Sequence, residues 1–145
     1  MMRHLFALAL ALIVTQACSS HTQADAPAAG PVRTDGVASK NRTFLTKLAW
    51  TTGPVAMASA AARLSFTDLN DAEVKSVDGV AFYPWMTSMG HGTSMQDQKI
   101  TPVAGALGSF TVDGIYFVMG GVWDIRVTAT VNGTADTATI AVSVP

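Results

Sequence analysis

The sequence predicts an all-β fold, an immunoglobulin-like antiparallel β-sandwich of about seven strands, preceded by a signal peptide and a flexible tether. Two runs of alternating apolar and polar residues flank Asn132-Gly133. Upstream, short runs rich in β-branched and aromatic residues are separated about every eight to twelve residues by Gly, Pro, Asp or Asn. No stretch after the N-terminal segment keeps a helical period over a useful length, which favours a sandwich.

The N-terminal segment, residues 1–17, has the features of a secretory signal peptide. Its apolar run, Leu5–Val14, is shorter than the about 20 residues that a membrane-spanning helix needs. Cys18 follows in a position that resembles the lipobox of bacterial lipoproteins, where the cysteine is lipidated and becomes the mature N-terminus. Ala17 fits that pattern, whereas Thr15 stands where such sequences usually carry Leu, and Thr15-x-Ala17 also suits an ordinary signal peptidase.

Lipidation accounts for the single cysteine of the chain, because an exported protein with one Cys cannot form an internal disulfide. We therefore expect a lipoprotein at the periplasmic face of a membrane, bound through its N-terminal lipid. Ser19 after the cysteine is typical of outer-membrane lipoproteins. Residues 18–43 are rich in small and polar residues and are predicted to be a flexible tether, which leaves residues 44–145 as the folded domain.

The strand predictions follow from local alternation. A hairpin is expected around Asn132-Gly133, a dipeptide that tolerates the positive φ of a type I′ turn, with Thr134-Ala135-Asp136 lengthening the loop or inserting a bulge. Ala56–Ala62 is expected to be a turn or a short helix. The predicted strands are Phe44–Trp50, Ala62–Thr67, Ala72–Tyr83, Gly108–Val112, Ile115–Met119, Ile125–Val131 and Ala138–Val144.

Enzymatic chemistry and nucleic-acid binding are both disfavoured. His91 is the only histidine of residues 44–145, which excludes a three-histidine zinc site there. The chain has no Gly-rich nucleotide loop after a strand, no H-E-x-x-H and no G-x-S-x-G motif. Its weakly acidic balance gives no basic patch for nucleic acid. We therefore predict a protein that is not an enzyme and takes no small-molecule substrate.

The stretch YPWMTSMGHGTSM, residues 83–95, predicts a copper site. Thioether sulfur is a soft, neutral ligand that favours Cu(I), and imidazole binds copper in either oxidation state. Gly90 and Gly92 flank the histidine and allow left-handed angles and close approach in a tight loop. The predicted ligands are Met86, Met89, His91 and Met95, with Met119 assigned either to the core or to closing the site from a neighbouring strand.

A structural role is the alternative for the same residues. Methionine fills irregular gaps in cores and contacts aromatic rings, and Met57 shows that the chain uses it elsewhere. For Met86 taken alone, packing is the expected role, and in this interpretation His91 hydrogen-bonds loop carbonyls. The aromatic residues of this region are expected in the core rather than on a carbohydrate or peptide platform: Tyr83, Trp85 and Trp123.

Two ordered motifs resemble the FixH/YtkA-like family of extracytoplasmic β-sandwich domains: PWMTSMGHGTSM and, downstream, VDGIYFVMGGVWDIRVTATVNGTADTATIAVSV. The resemblance covers most of residues 48–145. It implies a role in copper supply and cytochrome oxidase assembly, through the matching positions Met86, Met89, His91, Met119 and Trp123. FixH-type members carry a membrane helix where this sequence has a lipoprotein signal, which shifts the expectation towards periplasmic copper handling.

Two functions therefore remain open from the sequence. In the first, a lipid-anchored domain binds or delivers copper through its Met/His loop and serves copper homeostasis or oxidase assembly, with a copper-transport or oxidase-assembly protein as partner. In the second, the domain is a metal-free interaction module of the cell envelope, which presents sheet edges or the glycine loop to another protein.

Overall fold

The computed structural model describes residues 35–145, so the predicted signal peptide, Cys18 and the greater part of the predicted tether lie outside the described residues. Regular structure within residues 35–145 is entirely β-structure, and this part of the chain has no helix long and apolar enough to cross a membrane. The strands are β1 (Val37–Ala38), β2 (Leu45–Thr52), β3 (Ser59–Thr67), β4 (Val77–Met86), β5 (His91–Gly92), β6 (Lys99–Pro102), β7 (Ser109–Tyr116), β8 (Gly121–Val131) and β9 (Thr134–Val144).

The strands form two antiparallel sheets, ordered β1-β2-β3-β7-β6 and β5-β4-β8-β9. β1 and β5 have only two residues each. The remaining seven strands are longer, which is the number predicted. The orders β2-β3-β7-β6 and β4-β8-β9 correspond to the ABED and CFG sheets of an immunoglobulin fold. The prediction of an immunoglobulin-like β-sandwich is confirmed.

The core between the sheets consists of inward-facing side chains from alternate strand positions. Phe117 and Trp123 have no exposed surface and meet edge to face, with ring centroids 5.3 Å apart. Trp50 packs on Phe117 in the same way, and Phe44 forms a similar pair with Phe66. Because residues 35–145 contain no cysteine, the fold depends on this packing, with apolar burial as the main stabilising term.

The β8–β9 hairpin confirms the clearest signal in the sequence. Asn132 has φ 51° and Gly133 has φ 82°, the two positive angles of a type I′ turn. The strands pair along their whole length, so Thr134–Asp136 neither lengthens the loop nor forms a bulge. The Asn132 side-chain oxygen also accepts hydrogen bonds from the N–H groups of Lys75 and Ser76, which ties the turn to the segment before β4.

The segment Ala56–Ala62 forms a turn and then the start of a strand, and it contains no helix. Ala56 bridges to Phe117, and β3 begins at Ser59. Ala60 and Ala62 are each 1% exposed because they face the opposite sheet. Burial within the sheet therefore outweighs the helix propensity of alanine.

The two strands predicted at 108–112 and 115–119 merge into one strand, β7 (Ser109–Tyr116), and residues 117–119 lie in the loop that follows it. The pairing of β7 with β3 shifts register at Gly114, which has φ 68°, so the residues expected to separate two strands form a bulge within one. A Cβ atom at Gly114 would overlap the carbonyl of Asp97. Glycine is therefore needed both for the backbone angle and for the approach of the loop before β6.

The structure differs from the predicted strands in two further places: at the start of β4 and at β6. The Asp68 carboxylate accepts hydrogen bonds from the N–H groups of Asn70 and Ala72, both at 2.8 Å, which places a turn where the strand was expected to start. β4 begins at Val77 rather than at Ala72. β6 is a short edge strand that the sequence analysis missed. Its only large apolar side chain is Ile100, which leaves no alternation to detect.

The sandwich begins before the predicted boundary at residue 44. β1 pairs with β2, and the Ser39 hydroxyl accepts the N–H of Thr43 at 2.9 Å. The Asp136 carboxylate, on β9, accepts the backbone N–H of Asn41 at 2.9 Å and the hydroxyl of Thr43 at 3.1 Å. Residues 37–43 therefore belong to the domain despite their tether-like composition.

Asp136 is the charged centre of this attachment. Desolvation favours its neutral form, but hydrogen bonds from Ser39, from the N–H groups of Thr137 and Asn41, and from Thr43 favour the carboxylate more strongly. They lower the pKa of Asp136 to about 2.

Candidate functional site

One end of the sandwich carries most of the exposed apolar side chains. We call this the Met end; it comprises the β2–β3 loop (residues 53–58), residues 87–98 and the β7–β8 loop (residues 117–120), together with the start of β8. Seven of the nine large apolar side chains exposed among residues 35–145 lie there: Val55, Met57, Met89, Met95, Val118, Met119 and Val122. The fold therefore collects the predicted metal-binding stretch and its neighbours on one surface.

The hairpin between β4 and β5 places two of the predicted ligands side by side. The Met86 carbonyl accepts the N–H groups of Met89 and Gly90, at 3.2 and 2.9 Å, which closes a turn at residues 87–90. Met86 and His91 are then direct partners in the antiparallel pair. Directly opposed side chains share one face of a sheet, with Cβ atoms about 4.5–5.5 Å apart. The fold therefore brings Met86 and His91 together.

The two glycines around His91 have different roles. Gly90 has φ 68° and open space around it, so it supplies the left-handed angle of the turn. Gly92 has no positive φ, but a Cβ atom there would overlap the phenol of Tyr83 and lie 3.1 Å from the Pro84 carbonyl oxygen. Gly90 is therefore needed for backbone angle, and Gly92 for close approach.

The His91 ring is oriented by two contacts. Its Nδ1 lies 3.1 Å from the Gly92 carbonyl oxygen, and the ring meets Trp123 edge to face, with centroids 5.9 Å apart. A carbonyl can only accept a hydrogen bond, so in the neutral ring this contact assigns the proton to Nδ1. The lone pair then lies on Nε2, the arrangement that metal-binding histidines commonly use.

Trp123 connects the hairpin to the β7–β8 loop. Its indole N–H donates to the Met119 carbonyl at 3.2 Å, which holds that loop beside His91. Met86 is 3% exposed, and its terminal methyl lies against Gly121. We call Met86, His91, Met119 and Trp123 the Trp123 cluster. The expectation that Met86 packs in the core is confirmed, while Met119 is 40% exposed and is not a core residue.

Met89 and Met95 stand apart from the Trp123 cluster. Met89 lies in the turn with 61% of its surface exposed, and Met95 lies four residues after His91 with 40% exposed. Their described contacts are backbone hydrogen bonds within their own turns. The four ligands predicted from residues 83–95 therefore divide into an inward-facing pair and two exposed thioethers.

Within the described part of the chain, no three or more His, Cys, Asp and Glu side chains gather as a metal ion requires. A metal at the Met end would consequently depend on methionine sulfur together with the single imidazole. This donor set fits Cu(I), a soft ion, and does not fit the hard cations Mg²⁺ and Ca²⁺, which take oxygen ligands.

The three aromatic residues predicted to lie in the core, on β4 and β8, are found on both faces of their sheet. Trp123 is buried as expected, but Tyr83 and Trp85 are half-buried on the outer face, so their assignment to the core was wrong. The Arg126 guanidinium lies 4.7 Å from the centre of the Trp85 ring. Residues 83 and 85 alternate with the inward-facing Phe82, Pro84 and Met86, and that period-2 pattern could have revealed their orientation.

Sequence reasoning also missed a cavity at the opposite end of the sandwich. Its volume is about 520 Å³, and its lining is mainly apolar, including Val77, Leu107 and Phe110. Glu73 is the acidic side chain in the lining. Much of the lining comes from the β6–β7 loop, residues 103–108, whose position no local sequence pattern indicates.

Comparison of the chain with protein-family models, with curated proteins and with solved structures found no match. The class that fold and site define together is an immunoglobulin-like β-sandwich with a methionine-rich end. The likeness to the FixH/YtkA-like family rests on the two sequence motifs and stays a prediction.

Proposed function

We propose that this protein is an exported, lipid-anchored β-sandwich that binds Cu(I) at the Trp123 cluster and delivers it to a copper-transport or oxidase-assembly protein. The observation that carries the proposal is the direct pairing of Met86 and His91 across β4 and β5, beside Trp123. A thioether and an imidazole with its lone pair on Nε2 are two ligands of the kind that Cu(I) prefers.

The surroundings of the pair support a soft, weakly hydrated ion. Trp123 has no exposed surface and Met86 has almost none, so the inner side of the cluster is apolar. An apolar shell limits the access of water and disfavours hard cations. Met119, on the β7–β8 loop, carries the second thioether of the cluster, and the Trp123 indole N–H holds this loop by donating to the Met119 carbonyl.

The exposed methionines suit transfer of the ion. Met89 and Met95 carry thioethers on the solvent side of the Met end, where a partner protein can reach them. We assign these two residues to capture and release of the ion, and the Trp123 cluster to its retention. The thioethers of Met89 and Met95 are neutral and need no deprotonation to bind the ion, whereas the His91 imidazole binds it only in its neutral form.

The proposed location follows from the N-terminus. Cys18 after the apolar run Leu5–Val14 fits lipidation, and Ser19 favours the outer membrane. In an oxidising compartment, methionine keeps its ligand capacity where cysteine thiols would form disulfides. The resemblance to the FixH/YtkA-like family points to the same chemistry.

A Cu(I) titration against a competing chromophoric chelator tests the proposal. The protein used is the chain from residue 18 onward with Cys18→Ser, so that no thiol competes for the ion. We expect stoichiometric binding by the parent and at least tenfold weaker binding by His91→Ala and by Met86→Leu. Met57→Leu is the matched control, because Met57 is an exposed methionine of the Met end outside the predicted ligand set.

The proposal fails if the parent does not compete with the chelator, or if His91→Ala binds as the parent does. A growth experiment extends the test to cells. Strains that carry His91→Ala are expected to differ from the parent under copper excess or copper starvation, and equal growth under both conditions contradicts a role in copper handling.

A metal-free interaction module is the second candidate function, favoured by the exposed apolar surface of the Met end. Clustered apolar side chains on a surface often mark a protein-binding site, and flexible methionines suit variable partners. In this case Met89→Asp and Met119→Asp would abolish capture of a partner from envelope extracts, with or without copper chelation. Genes for copper pumps or oxidase subunits beside this one favour the first function, and genes for envelope assembly the second.

A further inference from the structure

The outer edge of β9 is a feature that copper binding does not use. β9 is the last strand of its sheet and, within residues 35–145, its only strand partner is β8. The type I′ turn makes Val131 and Thr134 a hydrogen-bonded pair, so even-numbered residues of β9 direct their backbone groups towards β8 and odd-numbered residues away from it. One observed hydrogen bond supports this alternation: the N–H of Lys40 donates to the outward carbonyl of Thr137 at 2.8 Å.

The available part of this edge is the segment from Ala138 to Val144. At one end, the Thr137 carbonyl is occupied by Lys40, and its N–H donates to the Asp136 carboxylate at 2.8 Å. At the other end, Pro145 has no N–H to donate. Between them, three residues direct backbone N–H and C=O groups outward without a hydrogen-bond partner among the described residues: Thr139, Ala141 and Ser143.

The other edge of the same sheet is protected in ways that β9 is not. β4 has a register break between Asp78 and Ala81, with Gly79 at φ 59°, and it contains Pro84. β5 covers its last two residues, Trp85 and Met86. Bulges, prolines and charges are the usual means of preventing edge-to-edge pairing. The free segment of β9 has none of them, and its pairing with β8 is regular throughout.

We propose that two copies of this chain associate by antiparallel pairing of their β9 edges, with the two-fold axis at Ala141. The two four-stranded sheets then become one continuous sheet. Thr139 lies opposite Ser143 of the second copy, and Ala141 lies opposite Ala141. Each of these opposed pairs exchanges two N–H to C=O hydrogen bonds, so every outward backbone group of the free segment is satisfied.

The segment is self-complementary, which favours a second copy over an unrelated strand. Ala141 is the midpoint of the free segment, so the symmetric register uses all of it and ends where Lys40 and Pro145 block further pairing. The opposed Thr139 and Ser143 hydroxyls can hydrogen-bond across the interface, a favourable cross-strand pair. No charged residue lies in the segment, so two identical copies meet without repulsion.

Sedimentation velocity over micromolar to millimolar concentrations tests the association, with the chain from residue 18 onward carrying Cys18→Ser. We expect a concentration-dependent dimer and at least tenfold weaker association for Ala141→Lys, which places two lysines at the axis. Ala81→Lys is the matched control: it makes the same substitution at an exposed position near the opposite edge of the sheet and is expected to dimerise as the parent does.

Cysteine cross-linking tests the register independently. Opposed hydrogen-bonded residues have Cα atoms about 5.5 Å apart, within the range of a disulfide. Ala141→Cys should therefore form an intermolecular disulfide under mild oxidation, whereas Ser143→Cys, whose two copies lie on opposite sides of the axis, should not. A parent that stays monomeric at all concentrations, an Ala141→Lys dimer as stable as the parent's, or equal cross-linking of the two cysteine variants overturns the proposal.

Discussion

Truncation of Met86 gives the sharpest test of how the Met end is held together. Met86 is 3% exposed, and Met86→Ala removes three heavy atoms from the core beside Gly121. At about 0.8 kcal/mol for each methylene-sized group, the lost transfer free energy is about 2.4 kcal/mol. The cavity that remains adds to this cost, and Met→Ala changes in cores typically cost about 2–5 kcal/mol. We therefore expect the free energy of unfolding to fall by about 3 kcal/mol.

The measurement is equilibrium unfolding in urea, followed by tryptophan fluorescence and by circular dichroism, whose agreement tests two-state behaviour. Met89→Ala is the control, because its side chain is 61% exposed and its loss should change stability by no more than about 0.5 kcal/mol. Met86→Leu conserves volume and should cost less than about 1.5 kcal/mol. If Met86→Ala costs no more than Met89→Ala, the inward orientation of Met86, and with it the proposed pairing with His91, is refuted.

Three other substitutions have outcomes that the structure predicts. Gly92→Ala should cost about 1–3 kcal/mol in urea unfolding through overlap with Tyr83, whereas Gly53→Ala, with open space around it, should be neutral. Gly133→Ala should cost about 1–2 kcal/mol because of its φ of 82°, and an unchanged urea midpoint would contradict the type I′ turn. The depressed pKa of Asp136 stabilises the fold above its unfolded value of 3.8, and this stability is lost as pH falls to about 2. Urea midpoints for Asp136→Asn should lack that pH dependence, and a parent-like acid profile would refute the assignment.

The parts of the fold that the sequence predicts well are those with local causes. The β8–β9 hairpin follows from period-2 alternation around Asn132-Gly133, whose positive φ values are a local property of that dipeptide. The attachment of residues 39–43 could not be predicted in this way. It depends on Asp136, distant in sequence, accepting hydrogen bonds from Asn41 and Thr43, and composition alone indicates a tether.

The candidate site, like the fold, can be predicted from the sequence only where its features have local causes. Residue chemistry singles out the Met/His stretch, because soft ligands concentrated in one loop are visible in any linear sequence. Which thioether faces His91 depends on the register of a two-residue strand, and which loop lies beside it depends on the Trp123 indole reaching the Met119 carbonyl. Neither contact produces a periodic pattern in the sequence from which it could be predicted.

The β-sandwich class and the last hairpin can be predicted from the linear sequence, and so can the position of the Met and His side chains in one stretch, because alternation, turn propensity and residue type are local properties. That Met86 and His91 are paired on one face while Met89 and Met95 are exposed follows only from the three-dimensional fold. The fold also decides that β9 presents an unprotected edge, since strand order and hydrogen-bond direction arise only when distant segments pair.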